Sequence, residues 1–200
     1  MNIKLISVCG KKRSGKDTVA EYLIANHGFK RYAFADPIKR GAMEMFGFTE
    51  SQMWGSTEEK EAIDERWNIS PRKMLQLMGT ELFQFDIHNY LSEGEFNCGR
   101  EVWVRRFMIW FEDECVKHRE RGEDFKVVIS DVRFHHEVRN IQKMGGEVWK
   151  IQRPSLTNVD SHASEMEIET IVPDVEIIND STLEDLYLKV EDLLCTKLSQ

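Results

Sequence analysis

The sequence predicts an α/β fold in which a five-stranded parallel sheet carries helices on both faces, and three observations predict it. Strand-like runs alternate with helical patterns through the 200 residues, so each strand must cross over to reach the next. Lys126-Val127-Val128-Ile129-Ser130 is too apolar to have a wet face, as central parallel strands usually are. The first 34 residues read as strand, loop, helix and strand, a βαβ unit.

Each element follows from local pattern. Ile3 to Cys9 is a β-prone run that ends in a glycine- and lysine-rich turn. A helix follows from about Lys16 to His27, with Val19, Ala20, Tyr22 and Leu23 on one face, and stops at Gly28. Lys30 to Phe34 is the second strand. After Asp36-Pro37, with proline at a first helical position, a helix runs from Ile38 to about Phe46. Ser56 to Arg66 is charge-rich and expected to be exposed. Ser70-Pro71 starts another helix, to about Met78, and a second helical piece spans Thr80 to Tyr90. Ser92 to Arg100, with Gly94, Asn97 and Gly99, reads as a loop. A long amphipathic helix from about Val102 to Arg121 carries Trp103, Phe107, Trp110 and Phe111. Beyond the strand at Lys126, Glu137 to Met144 is a helix closed by Gly145-Gly146. Glu147 to Gln152 and Val175 to Ile178 are strands, and Thr182 to Leu198 is a final helix with a Thr-x-x-Asp cap. No repeat or linker divides the chain. Residues 1-200 are expected to form a single domain, with a helical region over roughly 36-121 and a lid-like region over 153-170.

Composition narrows the function. Lysine and arginine number 27 against 35 acidic residues, giving a net charge of −8 and a pI near 5.3. Such a chain has no broad face for a nucleic-acid polymer or an anionic membrane, but a local basic site for one phosphate cluster is compatible with it. The N-terminus offers neither a signal-peptide core nor the ~20-residue apolar run of a membrane helix, so a cytoplasmic location is expected. Cys9, Cys98, Cys115 and Cys195 form no Cys-x-x-Cys pair, and free, mostly buried thiols are expected.

Gly10-Lys11-Lys12-Arg13-Ser14-Gly15-Lys16 has the glycine, four-residue, glycine-lysine spacing of a phosphate loop, and it lies between a strand and a helix as that motif requires. The glycines let backbone N–H groups turn toward anionic oxygens, the helix N-terminus adds its dipole, and Lys16 can reach the β- and γ-phosphates. Lys12 and Arg13 add positive charge. Asp17 stands where the usual motif has Ser or Thr, and the hydroxyl comes one residue later at Thr18. Either can serve Mg²⁺, directly or through water, or Asp17 can simply favour the first helical turn.

In an open parallel sheet, ligands lie beyond the carboxyl ends of the strands, and polar residues stand at all five. After the loop come Asp36, then Asp131 with Arg133, then Arg153, then Asn179-Asp180. Asp131 is placed to orient Mg²⁺ waters, or to cap a helix. Arg133 can hold a phosphate that Glu137 orients, Glu137 can instead bind a sugar hydroxyl, or the two can form a plain i,i+4 pair. Arg72 and Lys73 occupy a first helical turn, a poor place for cations unless an anion binds there; a solvated basic turn is the other reading. Arg153, before Pro154, is either a mobile cover for a moving phosphoryl group or a surface arginine. Trp103 can stack on a base or belong to the core. His162 has polar company, whereas His135 and His136 look incidental.

With these residues laid out, the chain resembles the bacteriophage-type deoxynucleoside monophosphate kinases over nearly its whole length. The agreeing segments are Gly10 to Thr18 with its lysine-aspartate ending, Phe34-Ala35-Asp36-Pro37-Ile38-Lys39, Leu77 to Leu82, Ser130-Asp131-Val132-Arg133 through Glu137, Gln152-Arg153-Pro154, Ser161 to Glu165 and Asn179 to Glu184. The resemblance implies a three-layer phosphate-loop NTPase fold with strand order 2-3-1-4-5. It implies transfer of the ATP γ-phosphoryl group to a deoxynucleoside monophosphate, with Mg²⁺, in the host cytoplasm if the chain is viral. Gly10 to Thr18 would bind ATP, with Asn179 and Asp180 by the adenine and Asp17, Thr18 and Asp131 at the metal. Asp36, Lys39, Arg72, Lys73, Trp103, Asp131, Arg133 and Glu137 would serve the acceptor, within 36-121 and just after the strand at Lys126. Lys16, Asp17, Arg133 and Arg153 would be catalytic, Arg153 from the lid. The chain is shorter than its relatives between Phe46 and Ser70, a region expected to touch the acceptor base. A related kinase such as phosphomevalonate kinase and a slow nucleotide-binding switch are the alternatives, and a homodimer is compatible with the aromatic Val102 helix.

Overall fold

The computed structural model describes residues 1–92, 94–96, 98–156 and 163–196. Its sheet has five parallel strands in the order β2-β3-β1-β4-β5: β1 (Ile3–Cys9), β2 (Lys30–Tyr32), β3 (Phe125–Ile129), β4 (Glu147–Gln152) and β5 (Val175–Ile178). This is the expected fold and order. β1 lies in the middle, with Leu5 opposite Val127 and Val8 opposite Trp149. Leu5 to Cys9 are all buried, as a central parallel strand requires.

By its contacts the chain divides into two compact units, residues 1–33 with 109–200, and residues 34–108. The first contains the sheet. Helix α1 (Lys16–His27) buries Val19, Ala20 and Leu23, and these pack with Ile6, Val8, Val128, Trp149 and Ile151 of the sheet and with Leu186, Val190 and Leu194 of the last helix, α9 (Leu183–Thr196). Each buried Val, Leu or Ile among them contributes about 1.5–3 kcal/mol by leaving water. Tyr22 stacks on Tyr187 at 4.1 Å, and Glu191 accepts from the Tyr22 hydroxyl at 2.6 Å while its carboxylate meets His27 Nε2 at 2.7 Å.

The second unit contains α2 (Asp36–Phe46), α3 (Glu50–Trp54), α4 (Thr57–Glu61) and α5 (Pro71–Gln76) around a small core of Ala42, Phe48 and Met53. The charge-rich stretch is exposed as expected, but it is not unstructured. A capping box at Ser56/Glu59 starts a short helix there, and one at Thr49/Gln52 starts another just before it. Buried Asp64 then collects Arg66 through both carboxylate oxygens and the Gln52 amide at 3.0 Å. These donors, Arg66 first, hold its carboxyl well below the usual carboxylate range.

Two helical expectations change. The pieces expected at Ser70 and Thr80 form one run, in which α5 widens at Leu77 into ten residues of π-helix (Leu77–Asp86) and closes in a 3₁₀ turn (Ile87–Tyr90). Wide winding at such length is uncommon. Side chains brace it: the Gly79 carbonyl accepts both Gln84 Nε2 at 3.1 Å and Trp103 Nε1 at 2.8 Å. The polar stretch before β5 contains a helix that the pattern did not announce, α8 (Ala163–Thr170). Helices α6 (Val102–Arg121) and α7 (His135–Lys143) complete the chain.

Candidate active site

The phosphate loop is shaped by its backbone. Gly10 has φ +154° and Gly15 φ +103°, conformations closed to most side chains. A Cβ on Gly10 would stand 2.5 Å from the Ile151 carbonyl, and one on Gly15 would stand 2.6 Å from Asn179 Nδ2. Arg13 also takes a left-handed φ of 68°, which costs an L-residue about 1–2 kcal/mol. The loop closes through Ser14 N–H to the Lys11 carbonyl at 3.0 Å, and α1 begins with Val19 N–H to the Gly15 carbonyl at 3.0 Å. Asn179, expected near a base, donates Nδ2–H to the Ser14 carbonyl at 2.8 Å, so the end of β5 holds the loop. Its neighbour Asp180 is paired instead with Lys189 at 3.0 Å, which lowers its carboxyl.

Lys16 is largely covered and its ammonium rests 3.0 Å from Asp17 Oδ2, while Asp17 projects into solvent. Thr18 is half-buried, and Lys12 and Arg13 are exposed. Ser14 Oγ is buried without a hydrogen-bond partner among the described residues. An orphaned hydroxyl beside two glycine cradles is a site for anionic oxygen.

Beside the loop lies a cavity of about 280 Å³, bounded by Gly10, Lys11 and Ser14, by Gln152 and Arg153 beyond β4, and by Glu169 at the end of α8. Lys11 pairs with Glu169. Lys150, absent from the sequence-derived site, is buried in β4 and donates to the Glu169 carbonyl at 2.9 Å and the Ile171 carbonyl at 3.2 Å, satisfying the last turn of α8. Its signal was a lysine inside an otherwise apolar strand. Burial pushes the nearby Cys9 thiol up to about 11, against the opposing charge of Lys150. Arg153 is exposed at the cavity edge. Residues 157–162, including His162, lie outside the described residues.

After β3 the chain turns through Asp131 and Arg133 into α7. Glu137 Oε2 accepts N–H bonds from Arg133 at 2.8 Å and Phe134 at 3.0 Å, and the side chain is fully buried. Burial, with Asp131 adding to it, pushes the Glu137 carboxyl up to about 8 against the pull of those N–H groups. One oxygen of the carboxyl thus holds the backbone that carries Arg133.

The comparisons decide among readings of this loop. Residues 4–61 and 42–190 match the deoxynucleotide monophosphate kinase family. The chain belongs to that family. It is 38% identical to the putative deoxynucleotide monophosphate kinase of Acanthamoeba polyphaga mimivirus over 93% of both chains. With the deoxynucleotide monophosphate kinase of Enterobacteria phage T4 it shares 23% identity over 96% of this chain and 99% of the phage protein. Among solved structures, TT1252 from Thermus thermophilus matches with a TM-score of 0.50 at 14% identity over 98% of each chain, which speaks for the fold alone.

The protein is thus a phosphotransferase of the deoxynucleotide monophosphate kinase family, and the regulatory-switch and phosphomevalonate kinase alternatives give way. The remaining residues expected to serve its substrate lie in the second unit. Asp36 and Lys39 sit one turn apart on α2, and both meet Trp54: its Nε1–H donates to Asp36 Oδ1 at 3.0 Å, and Lys39 Nζ lies 5.2 Å from the centre of its ring. Arg72 is held at 3.3 Å by Glu61, a carboxylate that offsets the unfavourable placement of a cation in a first helical turn. Lys73 contributes its backbone N–H to the Ser70 cap at 3.3 Å. Trp103 is half-buried, its indole N–H on Gly79 and its ring edge-on to Phe83 at 5.6 Å. Sequence reasoning passed over Trp54, Glu61 and Gln84, because nothing in their local pattern separates them from ordinary helix residues. Among the described residues no helix is long and apolar enough to cross a membrane, and no cluster of three metal-ligating side chains is present.

Proposed function

We propose that this kinase transfers the γ-phosphoryl group of ATP to the 5′-phosphate of a deoxynucleoside monophosphate, and that the phosphate loop holds the donor. The observation that carries this reading is the loop itself: two glycine positions where a Cβ would collide, with the orphaned Ser14 hydroxyl between them. Lys16 neutralises the β- and γ-oxygens, drawn there from Asp17. Arg133 meets the moving group from a loop held by Glu137, which acts as a positioning residue and not as a ligand. Arg153 approaches from beyond β4 as the lid residue. Asp36, Lys39, Arg72, Lys73 and Trp103 serve the acceptor, Arg72 leaving Glu61 for its phosphate.

Hard oxygen donors at Asp17, Thr18 and Asp131 suit Mg²⁺, which is usually held by one or two carboxylates together with nucleotide phosphates and so needs no preformed protein cage. When bound it would neutralise phosphate charge. The protein's own contribution is charge placement and alignment, since an acceptor phosphate ionised near neutrality needs no strong general base. The test is ADP release with ATP and Mg²⁺ in the presence of dAMP, dGMP, dCMP or dTMP and their ribonucleotides. Stimulation by one or more deoxynucleotides supports the reading; release no faster than without acceptor overturns it.

A further inference from the structure

Residues 47–69 fold into a unit tied by side chains. Gln52 is fixed to Asp64 at 3.0 Å, Asp64 to Arg66, Arg66 Nη2 to the Gly47 carbonyl at 3.1 Å, and Trp67 Nε1 to the Phe46 carbonyl at 2.8 Å. One residue of that segment reaches the face of α2 that carries Asp36 and Lys39. Trp54 ends α3 directly after the fully buried Met53 and packs against the Ala42–Phe48–Met53 cluster, so its ring has little freedom. From there its edge takes Asp36 and its face takes Lys39. An indole has one polar hydrogen and one negative π-face, and here a carboxylate meets the first and an ammonium the second.

We infer that Trp54 is the positioning residue of the acceptor side, holding the Asp36 carboxylate and the Lys39 ammonium at a fixed separation and orientation for the deoxynucleoside monophosphate. This rests on the acceptor role given above to Asp36 and Lys39. The indole touches no reacting atom. It sets where a carboxylate that can accept from a sugar hydroxyl or a base N–H stands relative to a cation that can meet a phosphate. Placing both charges on one rigid side chain of the 47–69 segment makes that segment a determinant of acceptor fit even where it makes no contact with the ligand.

The experiment compares full-length wild type, Trp54→Phe, Asp36→Ala and the double variant, each with ATP and the preferred deoxynucleotide. Trp54→Phe keeps a ring for Lys39 and the core but removes the N–H. It is expected to raise KM for the monophosphate about fivefold to tenfold, with KM for ATP and the thermal midpoint unchanged. Asp36→Ala cuts the same bond without disturbing Trp54 packing, and the double variant should be no worse than Asp36→Ala by more than about twofold. A monophosphate KM for Trp54→Phe within twofold of wild type overturns the inference, as do strictly multiplicative effects or equal rises in both KM values. If no deoxynucleotide stimulates the wild type, the proposed function falls first and this inference with it. If the wild type responds and Trp54→Phe does not differ, only the inference falls.

Discussion

The loop from Gly10 to Lys16 and the unit from Phe34 to Met108, to which the proposed function gives the donor and the acceptor, are built by different means. The loop is shaped mostly by main chain, through glycine dihedral angles and a helix start, with one side-chain amide, Asn179 Nδ2, bracing the Ser14 carbonyl. The 34–108 unit is tied by side chains, with Trp54 on Asp36, Trp103 and Gln84 on the Gly79 carbonyl, and Asp64 on Arg66. Polyphosphate presents the same oxygens in every donor, so backbone N–H groups suffice to hold it. An acceptor with a base and a sugar has features that only side chains distinguish.

The contrast can be broken most sharply at Lys16. Lys16→Ala should lower kcat/KM by at least ~100-fold, as removal of a transition-state charge partner does, with the fold intact by circular dichroism; near-normal turnover would detach the loop from the chemistry. Next is Gly15→Ala, which places a methyl 2.6 Å from Asn179 Nδ2 at a φ of +103°. It should weaken ATP binding at least ~10-fold through a bent loop, while binding of the monophosphate, measured alone by calorimetry, stays as in wild type. Equal loss of both ligands would mean that the two regions are not separately built.

A smaller effect is expected from Glu137. Its proton is held in the folded state up to about 8, far above the unfolded value of ~4.3. The stabilisation is therefore complete below the unfolded value and is lost as pH rises toward 8. The thermal midpoint of wild type should fall between pH 5 and pH 8 relative to Glu137→Gln, and parallel curves would contradict the burial of that carboxyl. Asp64 has the opposite sign. Its carboxyl is depressed, so its contribution is present above the usual carboxylate range and is lost as pH falls through and below it. Asp64→Asn should lower the midpoint at pH 7 and flatten its decline toward pH 3; an unchanged acid limb would show that the 47–69 segment does not depend on this carboxylate.

The same division explains what could be read from sequence. β1, the loop and α1 follow from an apolar run, two glycines and a helical pattern that are contiguous in the chain, and β3 is marked by the apolar run Val127-Val128-Ile129. Arg133 and Asp131 stand out in the sequence because ligands in parallel sheets lie beyond the strand ends. Glu137 stands out too, but its bonds to the backbone N–H groups of Arg133 and Phe134 do not, since they depend on how the turn after β3 winds. The π-helix, Lys150 and Trp54 left almost no local trace. Gly79 becomes a double acceptor only when Trp103, 24 residues on, arrives beside it, and Lys150 is satisfied by carbonyls about twenty residues away.

The placement of β1 has a consequence for how the protein comes into being. The strand that ends in the phosphate loop pairs on one side with residues 125–129 and on the other with residues 147–150, and α1 packs against a helix that begins at residue 183. Seven residues that are a complete motif on paper thus depend on partners that synthesis delivers more than a hundred residues later. Until about three-quarters of the chain has emerged, β1 has no second neighbour and the loop has no fixed strand behind it. Such long-range pairing slows folding, because loop closure precedes the contacts that reward it. An N-terminal fragment ending near residue 120 would hold every residue of the loop and still lack both strands that give it shape.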